Sequence, residues 1–249
     1  MCKTINDLLS VYLINNEVIK FLKNKYDLSI YHLKILKYIN LHHDEEAIIE
    51  VKNIKRDLDI HHSIVTTVIS DLHNLNYFIK KRSKNDERKI LLIVETRHKM
   101  KIAQFIHDIK IALKEEFAIQ GLHLNYDHIL EDVIRNNVSL MNIKKVVKQK
   151  YKFKLDQFLL LMLIMTIKHD FCTFKEIKRT LSWDMAKINK AVKVLVKMNY
   201  VNKNRDKLDE RKVSLSINER YKDEIYMMLE DVSCIIKAHN GDSNLAMLK

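Results

Sequence analysis

Apolar residues in this chain follow a helical period over long stretches, switch briefly to alternation, and then repeat the same order. From Ile5 to Leu22 the positions Ile5, Leu8, Leu9, Tyr12, Leu13, Val18 and Leu22 fit the 3.6-residue period of an amphipathic helix. Ser29 is placed to cap a second helix running to about Leu41, and a short third spans about Val51 to Leu58. Asp59 is placed to cap a fourth from about His61 to Leu75, with Val65, Ile69 and Leu72 inward. The period then becomes two. Phe78 to Ser83 and Lys89 to Val94 read as strands around the turn Lys84-Asn85-Asp86-Glu87, and a long helix from about Thr96 to Ile119 follows.

The second part of the chain repeats this order. Setting each residue against the one 123 positions later, ten of the nineteen positions from Asn76 to Val94 are identical in Asn199 to Ile217, including Asp86-Glu87-Arg88-Lys89 over Asp209-Glu210-Arg211-Lys212. Upstream, Ile54, Leu58, Val65, Ile69 and Leu72 fall on Ile177, Leu181, Ile188, Val192 and Leu195. With a further two-residue shift, Tyr26, Leu28, Ile30, Leu33, Leu36 and Ile39 fall on Tyr151, Phe153, Leu155, Phe158, Leu161 and Ile164. The duplication predicts helices near 127–149, 154–168, 174–181 and 183–198, a hairpin over 200–217 and a final helix to about 239. Each half then holds helices, a helix-turn-helix and a two-stranded hairpin. The expected fold class is mainly α (α+β): two tandem winged-helix domains, 1–121 and 122–249, packed through long helices as a pseudo-dimer.

Composition removes other classes. With 2 glycines and no proline, Gly121 and Gly241 cannot build a phosphate-cradling loop, and proline-rich or flexible linkers are excluded. Cys2, Cys172 and Cys234 are few and scattered, which argues against a disulfide framework and fits a reducing cytoplasm. Cys172 is expected in a loop or helix end and Cys234 as a small core residue. The first ten residues lack the apolar stretch of a signal peptide, and the longest apolar run, Phe158 to Ile167, is too short to span a bilayer and reads as a buried helix. No membrane partner is expected. His42-His43-Asp44 and His61-His62 have no matching ligand set in the other half, so no metal or other cofactor is expected. With no cofactor loop and no buried acid pair, an enzyme is not expected.

The net charge of +12 favours an anionic partner. On residues 61–75 the outward stripe is His62, Ser63, Thr66, Thr67, Ser70 and Asn74, short hydrogen-bonding groups with almost no charge. On 183–198 it is Lys187, Asn189, Lys190, Lys193 and Lys197. From Lys80 to Lys89 there are six basic and two acidic residues. Lys80, Lys81 and Lys84 would neutralise phosphates, while Arg82 and Arg88 would enter a minor groove, and Lys89 completes the DNA-binding set of this wing. The second hairpin supplies Lys203, Arg205, Lys207, Arg211 and Lys212, with a smaller local excess. Asp86, Glu87, Asp209 and Glu210 sit on exposed turns with no burial to tune them for acid-base chemistry. Their expected work is to orient the wing turn, the Asp holding the following Arg by a charge-assisted hydrogen bond.

A helix-turn-helix followed by a strand ending in Lys-Arg, then Asp-Glu-Arg-Lys and a Leu/Ile strand, resembles the staphylococcal accessory regulator (Sar) family within the MarR-like winged-helix transcription regulators. The resemblance covers nearly the whole chain, twice, and is to two-domain members in which one polypeptide supplies both halves of what is elsewhere a homodimer. It implies recognition helices at 61–75 and 183–198, wing arginines at Arg82, Arg88, Arg205 and Arg211, and control of virulence genes through AT-rich promoter DNA. The expected partner is double-stranded promoter DNA, bound by a monomer with internal pseudo-two-fold symmetry whose recognition helices lie about 34 Å apart. Some single-domain relatives carry a redox-sensing cysteine in the first helix; here Cys2 precedes the predicted helices. The rival reading, kept open by the neutral face of 61–75, is a protein-interaction module or antagonist of other regulators with weak or no DNA binding.

Overall fold

The computed structural model describes residues 2–42, 47–119, 128–167, 171–205 and 213–241. These form two compact units, one from Asn16–Ile134 and one from the described residues of Met1–Asn15 and Arg135–Asp242. The first helix, α1 (Cys2–Tyr26), contributes to both units, and so does α6 (Ile129–Lys150).

In the unit of residues 16–134 the order continues with α2 (Ile30–Leu41), β1 (Ala47–Glu50), α3 (Val51–Asp57), α4 (His62–Asn74), β2 (Ile79–Arg82), β3 (Ile90–Val94) and α5 (Thr96–Ile119). Ser29 is the N-cap of α2, as its position predicts. Asp59 does not cap α4. It takes a left-handed backbone with φ 47°, and the cap is His61, whose Nδ1 accepts the Ser63 N–H. The wing is also larger than a hairpin. β1 joins it in an antiparallel sheet of order β1-β3-β2, with Ile49 opposite Leu92 and Arg82 opposite Ile90. Val65, Ile69 and Leu72 are buried as the period requires.

The other unit follows α6 with α7 (Leu155–Thr166), β4 (Cys172–Thr173), α8 (Phe174–Leu181), α9 (Met185–Lys197), β5 (Val201–Arg205), β6 (Val213–Ile217), a single 3-10 turn at Glu219–Tyr221, and α10 (Lys222–Gly241). The apolar run centred on α7 is indeed buried, with Phe158 through Met162 inaccessible to solvent. Its core also takes in Ile5, Leu8, Leu9 and Tyr12 of α1. The second sheet repeats the first, order β4-β6-β5, with Cys172 opposite Leu215 and Arg205 opposite Val213. Thr173 accepts the Glu176 N–H and receives the Glu176 carboxylate in return, a capping box that starts α8 where the strand ends.

Three cysteine expectations change. Cys2 does not precede the first helix but begins it, because α1 runs from Cys2 to Tyr26. Cys172 is a buried strand residue whose thiol is pushed up to about 12 by burial and by Glu176, so it is not a thiolate. Cys234 is exposed on α10 and is not a core residue. With so little glycine, the left-handed backbone among the described residues falls to Asp27, Asp59, Asn76, Lys152, Ser182 and Asn199, with φ between 47° and 60°.

Candidate nucleic-acid interface

α3 and α4 form the helix-turn-helix of the first unit, and β2 and β3 project beside it. Burying Val65, Val68, Ile69 and Leu72 turns the opposite stripe of α4 to solvent, and His62, Ser63, Thr66, Thr67, Ser70 and Asn74 are all exposed. Two hydroxyl protons on this stripe are already used. Thr66 Oγ1 donates to His62 O at 2.9 Å and Thr67 Oγ1 to Ser63 O at 3.0 Å. Thr66 and Thr67 therefore offer lone pairs and methyl groups outward, the chemistry that meets base amino groups and the thymine methyl, while the Ser70 hydroxyl and the Asn74 amide can also donate.

The wing turn is held by its own main chain. Ser83 N donates to Lys89 O and Lys89 N to Asp86 O, both at 2.9 Å. Asp86 Oδ1 accepts the backbone N–H of Arg88 at 3.1 Å, so the acid holds the following arginine through its main chain and leaves the guanidinium out of that bond. Arg82 Nη1 donates to Glu87 O at 3.2 Å and braces the turn from the other strand. Lys81, Arg82, Lys84, Glu87, Arg88 and Lys89 are exposed, whereas Lys80 is half-buried.

α8 and α9 repeat the arrangement in the second unit. Asp184 caps α9 by accepting the Lys187 N–H at 2.7 Å. Asn189, Lys190, Lys193 and Lys197 are exposed along the outer stripe. Lys187 is not free on that face. Its ammonium lies 3.2 Å from Tyr12 Oη and 3.2 Å from Asp156 Oδ1, and 4.6 Å from the Trp183 ring centroid, so its contacts belong to the fold. Lys203 and Arg205 are exposed on β5, Lys203 lying over Phe174. Lys207, Asp209, Glu210, Arg211 and Lys212 lie outside the described residues.

One set of basic residues escaped the sequence reading. α3 exposes Lys52, Lys55 and Arg56, and α8 exposes Lys175, Lys178 and Arg179 at the same 123-residue shift. The identities were visible in the repeat, but only the structure shows that all six point to solvent.

Comparison with known proteins adds a decisive observation. The family model described as "Transcriptional regulator SarA/Rot" matches residues 17–105 and again residues 142–228, well over half of the chain. The chain belongs to the SarA/Rot family. This SarA/Rot chain is 26% identical over 219 residues to the HTH-type transcriptional regulator SarU of Staphylococcus aureus, covering 87% of each. It is 27% identical over 103 residues to the transcriptional regulator SarA of Staphylococcus aureus, covering 41% of this chain and 83% of that one. A solved structure concerned with DNA binding by BpsR of Bordetella bronchiseptica and its regulation by 6-hydroxynicotinic acid aligns with a TM-score of 0.39 at 16% identity, covering 49% of this chain and 84% of that one. As a SarA/Rot member the chain is a transcriptional regulator of a DNA-binding family, and its two matched regions correspond to the two winged helices. No described helix is long and apolar enough to cross a membrane.

Proposed function

We propose that this SarA/Rot regulator binds AT-rich promoter DNA as a single chain with two winged helices, 1–121 and 122–249, and controls virulence genes. The observation that carries the reading is the repeated pairing of an outward helix stripe with a basic wing. α4 lies in the unit that exposes Lys81, Arg82, Lys84, Arg88 and Lys89, and α9 lies in the unit that exposes Lys203 and Arg205. In a helix-turn-helix the second helix enters the major groove, so α4 and α9 read base edges. The wing arginines Arg82 and Arg88 insert in the minor groove, whose negative potential is strongest where A·T tracts narrow it. The wing lysines supply sequence-blind, salt-dependent affinity.

Fluorescence anisotropy of the intact chain on an AT-rich promoter duplex tests this, with Arg82→Ala/Arg88→Ala as the comparison. The double variant should bind more weakly and with a shallower dependence on salt. Unchanged affinity and slope would remove the wing from the interface. Light scattering of the free and bound chain checks the stoichiometry of one chain per duplex, against the rival in which the protein acts by pairing with other regulators.

A further inference from the structure

The two copies can be compared with each other surface by surface. α4 and α9 are both thirteen residues long and align without a gap at the 123-residue shift. Along their outer stripes every position has changed: His62, Ser63, Thr66, Thr67, Ser70 and Asn74 face Met185, Ala186, Asn189, Lys190, Lys193 and Lys197. The helices that precede them behave in the opposite way. On the exposed face of α3, Lys52, Lys55 and Arg56 correspond to Lys175, Lys178 and Arg179 of α8, identical at all three positions and exposed in both copies. Two surfaces that diverged freely a few residues away have kept the same three cations.

Nothing inside the fold requires them. Among the described residues, Lys52, Lys55, Lys175 and Lys178 make no ion pair, and only Arg56 has a carboxylate, Asp57 Oδ1 at 2.7 Å from its Nε. The position matching Asp57 is Thr180, so the acid was not kept with the arginine. Buried positions stay alike because the core constrains them. Exposed cations that stay alike with no carboxylate partner common to both copies point to an outside partner shared by both halves, negatively charged and indifferent to base sequence. In a helix-turn-helix the first helix crosses the DNA backbone, which is that partner.

We propose that Lys52, Lys55 and Arg56 on α3, and Lys175, Lys178 and Arg179 on α8, are a matched pair of phosphate anchors that grip the two half-sites alike while α4 and α9 read different bases. This rests on the DNA-binding reading above. It also implies a non-palindromic operator, because equal anchors carry unequal readers.

The test uses the intact chain and two triple variants, Lys52→Ala/Lys55→Ala/Arg56→Ala and Lys175→Ala/Lys178→Ala/Arg179→Ala. Alanine at exposed helical positions preserves the helix, and circular dichroism verifies folding. Each protein selects from a random duplex pool and is then titrated on the selected duplex across salt concentrations. Each triple should reduce the slope of log affinity against log salt by about 2–3, on the basis of about 0.9 per phosphate contact. Each should still select the same sequence as the parent. An unchanged slope in either triple overturns the matched anchors, and a changed selected sequence shows that α3 or α8 reads bases, which overturns them equally. If the parent chain binds no duplex at low salt, the DNA reading itself has failed, an outcome distinct from either.

Discussion

The indole N–H of Trp183 donates a 2.8 Å hydrogen bond to the hydroxyl oxygen of Tyr12, a residue 171 positions earlier in the chain. Both side chains are buried, at 3% and 4% exposure, and their rings meet edge to face. The Lys187 ammonium approaches the same oxygen. The start of α1 is thereby fastened to the turn that precedes α9.

Tyr12→Phe keeps the ring and removes the acceptor, leaving a buried indole N–H unsatisfied. The expected loss is about 1–3 kcal/mol. Trp183 is the single tryptophan, so its fluorescence reports this unit directly, and chemical denaturation followed at that signal measures the loss. An unchanged midpoint would mean that the bond contributes nothing.

Acid should weaken the unit of residues 16–134 before the other. At the starts of α2 and α5, His32 Nδ1 accepts the Ser29 N–H at 3.2 Å and His98 Nδ1 accepts the Glu95 N–H at 3.1 Å. A protonated ring cannot accept these bonds. Burial holds both histidines below their usual value of 6.5, Asp71 partly opposing this at His32 and Arg97 adding to it at His98. A depressed folded value means that stability is fully present above about 6.5 and is lost as pH falls through the lower folded values. In the repeat, Gln157 Oε1 takes the place of His32, accepting the Lys154 N–H at 2.7 Å, and Gln does not titrate. His32→Gln should therefore flatten the acid limb in a pH series followed by circular dichroism, while Trp183 fluorescence responds later. A limb as steep as in the parent chain would exonerate His32.

Lys34 is 6% exposed on α2, and burial alone lowers its ammonium to about 8. The repeat places Leu159 at this position, fully buried. Lys34→Leu should stabilise the protein at neutral pH by at most about 3 kcal/mol, the cost of holding a charge in that site. Because the folded value is lowered, the parent should gain stability as pH rises from about 8 towards the ordinary lysine value of 10.5, and the variant should lose that rise. Thermal melts across this range decide it.

Asn137 Nδ2 donates to Asn15 Oδ1 at 2.8 Å in a buried contact between α6 and α1, and Asn137 Oδ1 has no partner among the described residues. Asn137→Leu alone should cost about 1–3 kcal/mol, since it strands the Asn15 amide. Replacing both by Leu should recover most of that or exceed the parent, because an apolar pair has nothing left unsatisfied. A double-mutant cycle from denaturation midpoints measures the coupling, and additive losses would argue against it.

Helices whose apolar period is long are legible in the sequence: α5 spans the residues its pattern predicts, and α4 and α9 lie within a residue or two of theirs. What escaped is what depends on distant partners. Ala47–Glu50 and Cys172–Thr173 are too short to show alternation and become strands only by pairing with β3 and β6. Lys187 reads as an outward cation because Tyr12, which draws it inward, is far away in sequence. Asp59 is a good capping residue by type, but the turn into α4 needs a left-handed residue there, so the cap passes to His61. Cys234 is misplaced because apolar neighbours in α10 do not say which side of the helix it occupies. The α3 and α8 cations needed no partner to be seen; they needed the exposure that singles them out from the rest of a lysine-rich chain.

The six left-handed residues sort into three couples across the duplication. Asp27 matches Lys152, Asp59 matches Ser182 and Asn76 matches Asn199, each couple agreeing in φ within 8°. Only the last couple kept its residue type. Lysine gains nothing from this conformation, which costs a side chain with a Cβ about 1–2 kcal/mol, yet Lys152 retains it. The path of the main chain was thus inherited more faithfully than the residues along it. An ancestral single-copy protein would be expected to bend at the same three points, whatever amino acids it carried there.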